Sequence, residues 1–300
     1  TYSASLRGNY KSEYVYGVDP ASEKDNLALT IIESNPKYRK VVFCWTINRK
    51  SFQEKIKAGE SGEQDYYGYC ARKILDCMKV FPAKAIGIDA QGGGYALMEA
   101  MHDENRLLKD EVPVWPIIEE GVDKYSDRMK GVHIIHEIQF SRAEWVSSAN
   151  HGMKKDFEDK KLVFPGYSAI DLEIAHNEDL VTKRKYDTLE DCILEIEELK
   201  NELSSIIHSA TGVAGRDRWD TPEIKEPGSN KKGRLRKDRY SSLLIANGVA
   251  RNISDEETRP DGNQFSAAGG FAGRNSFRLD DEESNLMPMP AWLNTGWDRD

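Results

Sequence analysis

The chain has 300 residues, 39% of them hydrophobic and 31% charged, with a mean hydropathy of -0.66. That supports one good core with polar sequence attached. It excludes a membrane-spanning helix, because no apolar run approaches the required ~20 residues, and the N-terminus lacks the charged-then-apolar pattern of a secretory signal. The net charge of -9 argues mildly against a surface given over to nucleic acid, but the charge is uneven. Lys231, Lys232, Arg234, Arg236, Lys237 and Arg239 form a basic run, while acidic residues crowd 187–202 and the C-terminus.

Residues 1–12 are polar and read as a linker, and the absence of an initiator Met suggests a piece excised from a longer chain. Tyr14–Val18 reads as a strand stopped by Pro20. Leu27–Glu33 and Val41–Ile47 follow as two more strands around the Asn35-Pro36 turn, giving an antiparallel meander. Between Gln64 and Phe81, apolar residues recur at helical spacing at Tyr67, Cys70, Ala71, Ile74, Leu75 and Met78. Ala85–Ile88 is a short buried strand, and Gly92-Gly93-Gly94 turns the chain into a helix from about Tyr95 to His102. Val112–Ile118 and Gly131–Phe140 are further strands. Strands first, then alternating strand and helix, predict an α/β domain with a mixed sheet over residues 13–252.

Beyond Arg142 the pattern is mainly helical. Leu189, Ile193, Ile196, Leu199, Leu203 and Ile206 form one apolar stripe, and Thr188 with Asp191 makes a capping box with Asp at the third position. Gly212 to Gly233 reads as a polar loop, and Tyr240, Leu243, Leu244, Ala246 and Val249 mark a last helix ending near Arg251. Residues 253–300 read as a disordered tail. Its apolar end, Met287–Trp292 and Trp297, has the character of a docking peptide or of a sticky terminus. The four cysteines, Cys44, Cys70, Cys77 and Cys192, contain no Cys-x-x-Cys pair and read as small buried hydrophobes in a reducing cytoplasm. His133-x-x-His136-Glu137 invites a zinc reading, but residues three apart on a strand face opposite ways.

The carboxylates carry the functional argument. Gly17-Val18-Asp19 and Gly87-Ile88-Asp89 end two strands in the same way. If those strands are parallel neighbours, they lie about 4.8 Å apart. Two carboxylates at that spacing cannot both ionise cheaply, and a divalent cation between them removes the conflict. Hard oxygen ligands suit Mg2+ or Mn2+. Asp238, flanked by Lys237 and Arg239 at the start of the last helix, is the third candidate, since a helix N-terminus favours an anion. Asp25, six residues past Asp19, is a fourth. Together they suit two metal ions roughly 3.5–4 Å apart, one activating water and one stabilising the leaving oxygen of a phosphodiester. The basic run beside Asp238 is where phosphates would be neutralised. Arg216 and Arg218 extend the same surface, with Trp219 either in the core or packed on a neighbour.

These residues resemble the nuclease motifs of the large subunit of tailed-bacteriophage terminases. Tyr16–Ala21 with Asp25 and the strand Leu27–Glu33 is similar to the first motif. Ala85–Asp89 with Gly92-Gly93-Gly94 is similar to the second, and Arg236–Leu243 to the third. The resemblance covers roughly residues 14–250. It implies a ribonuclease H-like fold and an endonuclease that cuts concatemeric double-stranded viral DNA during genome packaging, by two-metal catalysis at Asp19, Asp89 and Asp238 with Asp25 nearby. It also implies an N-terminal packaging ATPase domain, a portal and a small terminase subunit as partners, and the cytoplasm of the infected bacterial host as the location. Gly228–Arg234 lacks the Gly-Lys-Ser/Thr ending of a phosphate-binding loop, so no ATPase is expected in this chain. The chain departs from some relatives in having Lys237 and Arg239, not a His or a second acid, beside the third carboxylate. Two other readings share these residues: a Holliday-junction-resolvase-like nuclease, and a non-catalytic DNA-gripping or portal-docking module.

Overall fold

The structure is a computed structural model. It describes residues 2–20, 26–59, 61–117, 130–183, 187–210, 217–225 and 232–258. Asp25, Arg216, Lys231 and the whole of 259–300, with its apolar end, lie outside the described residues.

The centre is a seven-stranded mixed sheet. Strands β1 (Glu13–Asp19), β2 (Leu27–Ser34) and β3 (Arg39–Ile47) form the antiparallel meander that the sequence predicts. Strand β4 (Ala83–Asp89) joins β1 in parallel, β6 (Val132–Ile138) joins β4, and β5 (Val114–Pro116) joins β6. A two-residue strand, β7 (Leu162–Val163), pairs in parallel with β3 at the far edge. The order across the sheet is β5-β6-β4-β1-β2-β3-β7. Tyr14–Val18 is buried along its whole length, as expected of a strand covered on both faces.

Successive side chains on β1 separate the two layers. Tyr16 donates its hydroxyl to the carbonyl of Phe81, at the end of helix α2 (Tyr66–Val80), and Tyr14 meets the Phe81 ring edge-on. Helices α1 (Arg49–Lys57) and α3 (Gly94–His102) pack beside α2; Phe52 of α1 touches Tyr66 and Tyr69. Gly17 faces the opposite layer, where α7 (Asp238–Thr258) crosses the sheet. A Cβ at Gly17 would lie 2.0 Å from the Ser242 carbonyl oxygen, so only a glycine admits the helix at this depth. Helices α4 (Ala143–Glu158) and α6 (Leu189–Ser205) flank α7. Arg239 reaches Glu195 and Glu202 of α6, and Asp156 of α4 accepts from Arg251 and Asn247 of α7 and from Arg39 of β3. Helix α5 (Ala169–Val181) leans on α6, with Asp179 accepting from the first backbone N–H groups of that helix.

Most expected elements appear within a few residues of their expected bounds, and the Thr188–Asp191 capping box forms in both directions. Several features differ, among them the short strand β7, which falls in a stretch expected to be mainly helical. Helix α1 was not expected; its start is set by Asn48, whose side chain accepts from the Ser51 N–H. The polar loop expected over 212–233 holds short two-stranded ribbons instead: β8 (Ile207–Ser209) with β9 (Arg218–Asp220), and β10 (Glu223–Lys225) with β11 (Lys232–Arg234). Three-residue strands are too short to show a period of two. The last helix runs on to Thr258, past both its expected end and the expected start of the tail. The N-terminal segment lies against the domain, with Leu6 buried, Gly8 N–H on the Val80 carbonyl and the Tyr2 hydroxyl on the carbonyl of Val41. All four cysteines are buried and free. Among the described residues, no helix is long and apolar enough to cross a membrane.

Candidate metal centre at the strand ends

Strands β1 and β4 are parallel neighbours in register Val18↔Ile88, so Asp19 and Asp89 end adjacent strands on the same rim of the sheet. Each follows its glycine by two residues. A period of two therefore puts Gly17 and Asp19, and likewise Gly87 and Asp89, on one face. That is the α7 face: a Cβ at Gly87 would lie 2.4 Å from Ile245 Cγ2 and 2.9 Å from Val249 Cγ2. The two glycines let α7 settle across β1 and β4, and the two carboxylates follow where the helix leaves the sheet.

Asp238 opens α7 at this same rim. Its Oδ2 accepts the backbone N–H of Asn26 at 3.1 Å, and Asn26 directly precedes β2, whose Ala28 pairs with Asp19. Deeper along the helix, the Ser242 hydroxyl lies 2.6 Å from that of Thr30 on β2, which fixes the helix rotation. Asn26 thus has two roles that its sequence did not announce, since its side-chain oxygen also accepts from Arg236 at 2.9 Å. The only available sign was a polar residue at the turn into β2. Asp19, Asp89 and Asp238 are all half-buried. Burial pushes the Asp89 carboxyl above its ordinary range, and the N–H groups of Gln91 and Phe140 pull it part of the way back. The donor set, carboxylate oxygens whose charges gather on one rim, is the chemistry that suits a hard divalent cation. The three do not form a closed shell: among the described residues, one group of three ligand atoms lies mutually within 4.8 Å, and it is His151, His208 and Asp217.

The basic run divides. Arg236 is exposed beside Asn26, and Lys237 is half-exposed, pairing with Asp220 at 3.2 Å. Lys232 and Arg234 stand on β11, in the hairpin just before them. Arg239 does not belong with these: its guanidinium faces inward onto Glu195 at 2.7 Å and Glu202 at 2.8 Å and is 14% exposed. An arginine committed to two carboxylates holds α7 to α6 and is not presented to a phosphate. Arg218 pairs with Asp220, and Trp219 stacks on His208. His133 and His136 form no joint site. His133 donates Nδ1–H to the Pro116 carbonyl, while His136 pairs in register with Gly87, and burial lowers its pKa to about 4.

No protein-family model and no curated protein matches the chain. Among solved structures it is similar to the large terminase nuclease of the thermophilic phage G20c with bound magnesium, at 10% identity and a TM-score of 0.46, covering 82% of this chain and 90% of that one. It is similar to the large terminase nuclease domain of a Thermus phage, P74-26, at 11% identity and a TM-score of 0.43, covering 82% and 87%. For the HK97 bacteriophage large terminase the values are 10% and 0.44, with 83% of this chain but only 41% of that one covered. No residue's role carries over at these identities.

Proposed function

We propose that this chain is a metal-dependent endonuclease domain that cuts double-stranded DNA, the nuclease part of a terminase large subunit acting on concatemeric viral DNA during packaging. The observation that carries the reading is the meeting of three half-buried carboxylates on one rim: two at the ends of adjacent parallel strands, the third opening the helix that crosses both. The Asp89 carboxyl is raised by burial and only partly offset by the N–H groups of Gln91 and Phe140, with no cationic side chain among the causes of its shift.

Asp19, Asp89 and Asp238 would hold two Mg2+ or Mn2+ ions, with Asp25 nearby. Bound there, such ions supply an activated water and neutralise charge on the leaving oxygen. The chain's own residues do the rest. Asp89 must be deprotonated to serve as a ligand. Asn26 holds the Asp238 carboxylate in place through its backbone N–H. Arg236, exposed beside Asn26, and Lys237 directly precede Asp238 and would neutralise backbone phosphates, as would Lys231, Lys232 and Arg234 earlier in the basic run. In this reading the partners are duplex DNA, a packaging ATPase domain, a portal and a small terminase subunit, in the cytoplasm of the infected host.

The test is plasmid cleavage with Mg2+ or Mn2+, with a chelator as control. The native chain should cut, and Asp19→Asn, Asp89→Asn and Asp238→Asn should each lose at least a hundredfold. Full activity in any of the three would refute the assignment. Linear duplex should be cut as readily as branched DNA; a strong preference for four-way junctions would transfer the reading to a resolvase.

A further inference from the structure

Away from the strand ends, a different set of potential ligands converges. His151 lies on α4, His208 on β8 and Asp217 just ahead of β9. Asp217 Oδ2 is 3.0 Å from His151 Nε2 and 3.2 Å from His208 Nε2, and the three ligand atoms lie within 4.8 Å of one another. A tetrahedral ion with bonds of about 2.0–2.2 Å needs ligand-to-ligand edges of about 3.3–3.6 Å. Two of the three edges therefore already stand near coordination spacing.

The rings are also held in place. Trp219 stacks on His208 with centroids 4.2 Å apart and meets His151 edge-on at 5.3 Å, so neither imidazole is a freely turning surface side chain. The side chains of His151, His208 and Asp217 are 50%, 35% and 19% exposed, which leaves a route for an ion and room for a water as fourth ligand. Two imidazoles and one carboxylate select a borderline ion such as Zn2+; the all-oxygen set at the strand ends selects Mg2+ or Mn2+.

We propose that His151, His208 and Asp217 form a second, chemically distinct metal site for a divalent transition ion, Zn2+ foremost, which clamps the β8–β9 ribbon to α4. The clamp has a consequence at the third carboxylate. Lys237 Nζ donates to the Trp219 carbonyl and pairs with Asp220, and Thr221 Oγ1 donates to the Leu235 carbonyl at 2.8 Å. The ribbon thereby holds the segment that ends in Asp238, and pinning it narrows the positions open to that segment.

The test uses the full chain carrying Asp89→Asn, stripped with a chelator and dialysed, so that the strand-end carboxylates are impaired and the two readings fail separately. Co2+ should bind at one equivalent with the visible absorption of a low-coordinate, nitrogen-ligated ion, and Zn2+ should displace it. His151→Asn and His208→Asn, both at accessible positions, should each weaken binding by more than the 10–100-fold that loss of an outer-shell partner costs. Zn2+ should raise the melting temperature of the parent and of neither histidine variant. A parent with no stoichiometric Co2+ band would overturn the proposal. So would histidine variants that bind as the parent does, leaving a carboxylate that merely accepts two imidazole N–H groups.

Discussion

Replacing Gly17 with alanine tests the seat of α7, and with it the placement of Asp238. An added Cβ would stand 2.0 Å from Ser242 O, 2.5 Å from Ala246 N and 2.9 Å from Ala246 Cβ, whereas ordinary contact begins at 3.4 Å. Two of these three atoms are backbone, so no rotamer change relieves the overlap. The helix must retreat by about 1.4 Å, or β1 must give way by as much, in a close-packed interior. Overpacking of this kind costs about 1–3 kcal/mol, and backbone obstruction puts this site at the upper end. Against it, removing a glycine from the unfolded chain returns about 0.4–1 kcal/mol. The net expectation is a loss of about 2 kcal/mol, or roughly 4–8 °C in melting temperature for a domain of this size. Gly87→Ala is the internal comparison, because the atoms its Cβ would overlap are side-chain methyls of Ile245 and Val249, with the Tyr16 backbone oxygen at an ordinary 3.6 Å, whereas Gly17 is obstructed by backbone. Urea midpoints should therefore rank wild type, Gly87→Ala, Gly17→Ala in falling stability. Metal-dependent cleavage by Gly17→Ala should fall at least tenfold even at temperatures where the protein is fully folded, because displacement of about an ångström at a reacting centre is costly. A Gly17→Ala protein with the wild-type midpoint and wild-type cleavage would refute the claim that α7 rests on the backbone of β1.

Three further outcomes follow from buried charge. Asp156 is 1% exposed and accepts from Arg39, Asn247 and Arg251, so Asp156→Ala strands two guanidinium groups and should cost about 3–5 kcal/mol by denaturant titration; a loss below 1 kcal/mol would show that the network contributes little. The raised Asp89 carboxyl favours the folded state at low pH, and that contribution is lost as pH rises through its folded pKa. Without divalent metal, Asp89→Asn should therefore melt no lower than wild type at neutral pH, while calorimetric Mg2+ affinity should rise with pH in wild type and stay flat in the variant. His136 has the opposite dependence: its pKa falls from 6.5 to about 4 on folding, so its contribution is full above 6.5 and declines as pH drops. That predicts about 2 kcal/mol lost between pH 7 and pH 5, a loss that His136→Asn should remove from the urea midpoints.

How far the sequence discloses this arrangement depends on how far apart the cooperating residues are. Gly17-Val18-Asp19 and Gly87-Ile88-Asp89 are legible because each is a local pattern, an apolar strand that ends in a carboxylate; that the glycine two residues earlier seats a helix on the same face is visible only in the structure. Asp238 was legible as a helix-opening acid in a basic run. What could not be read was direction. Arg236 and Arg239 differ by three positions and look alike in sequence, yet one lies exposed beside Asn26 and the other turns inward to Glu195 and Glu202. Only the packing of α6 against α7 separates them. The same holds for His151, His208 and Asp217, spread over 66 residues and three elements with no spacing to betray them. A search for metal ligands by local spacing finds His133 and His136 instead, where strand geometry turns the two side chains apart. Local patterns thus identify residues whose neighbours in space are set by one element. Ligand sets assembled across elements emerge only when the helices are docked, and here the docking of α7 depends on the two glycines that also mark the carboxylates.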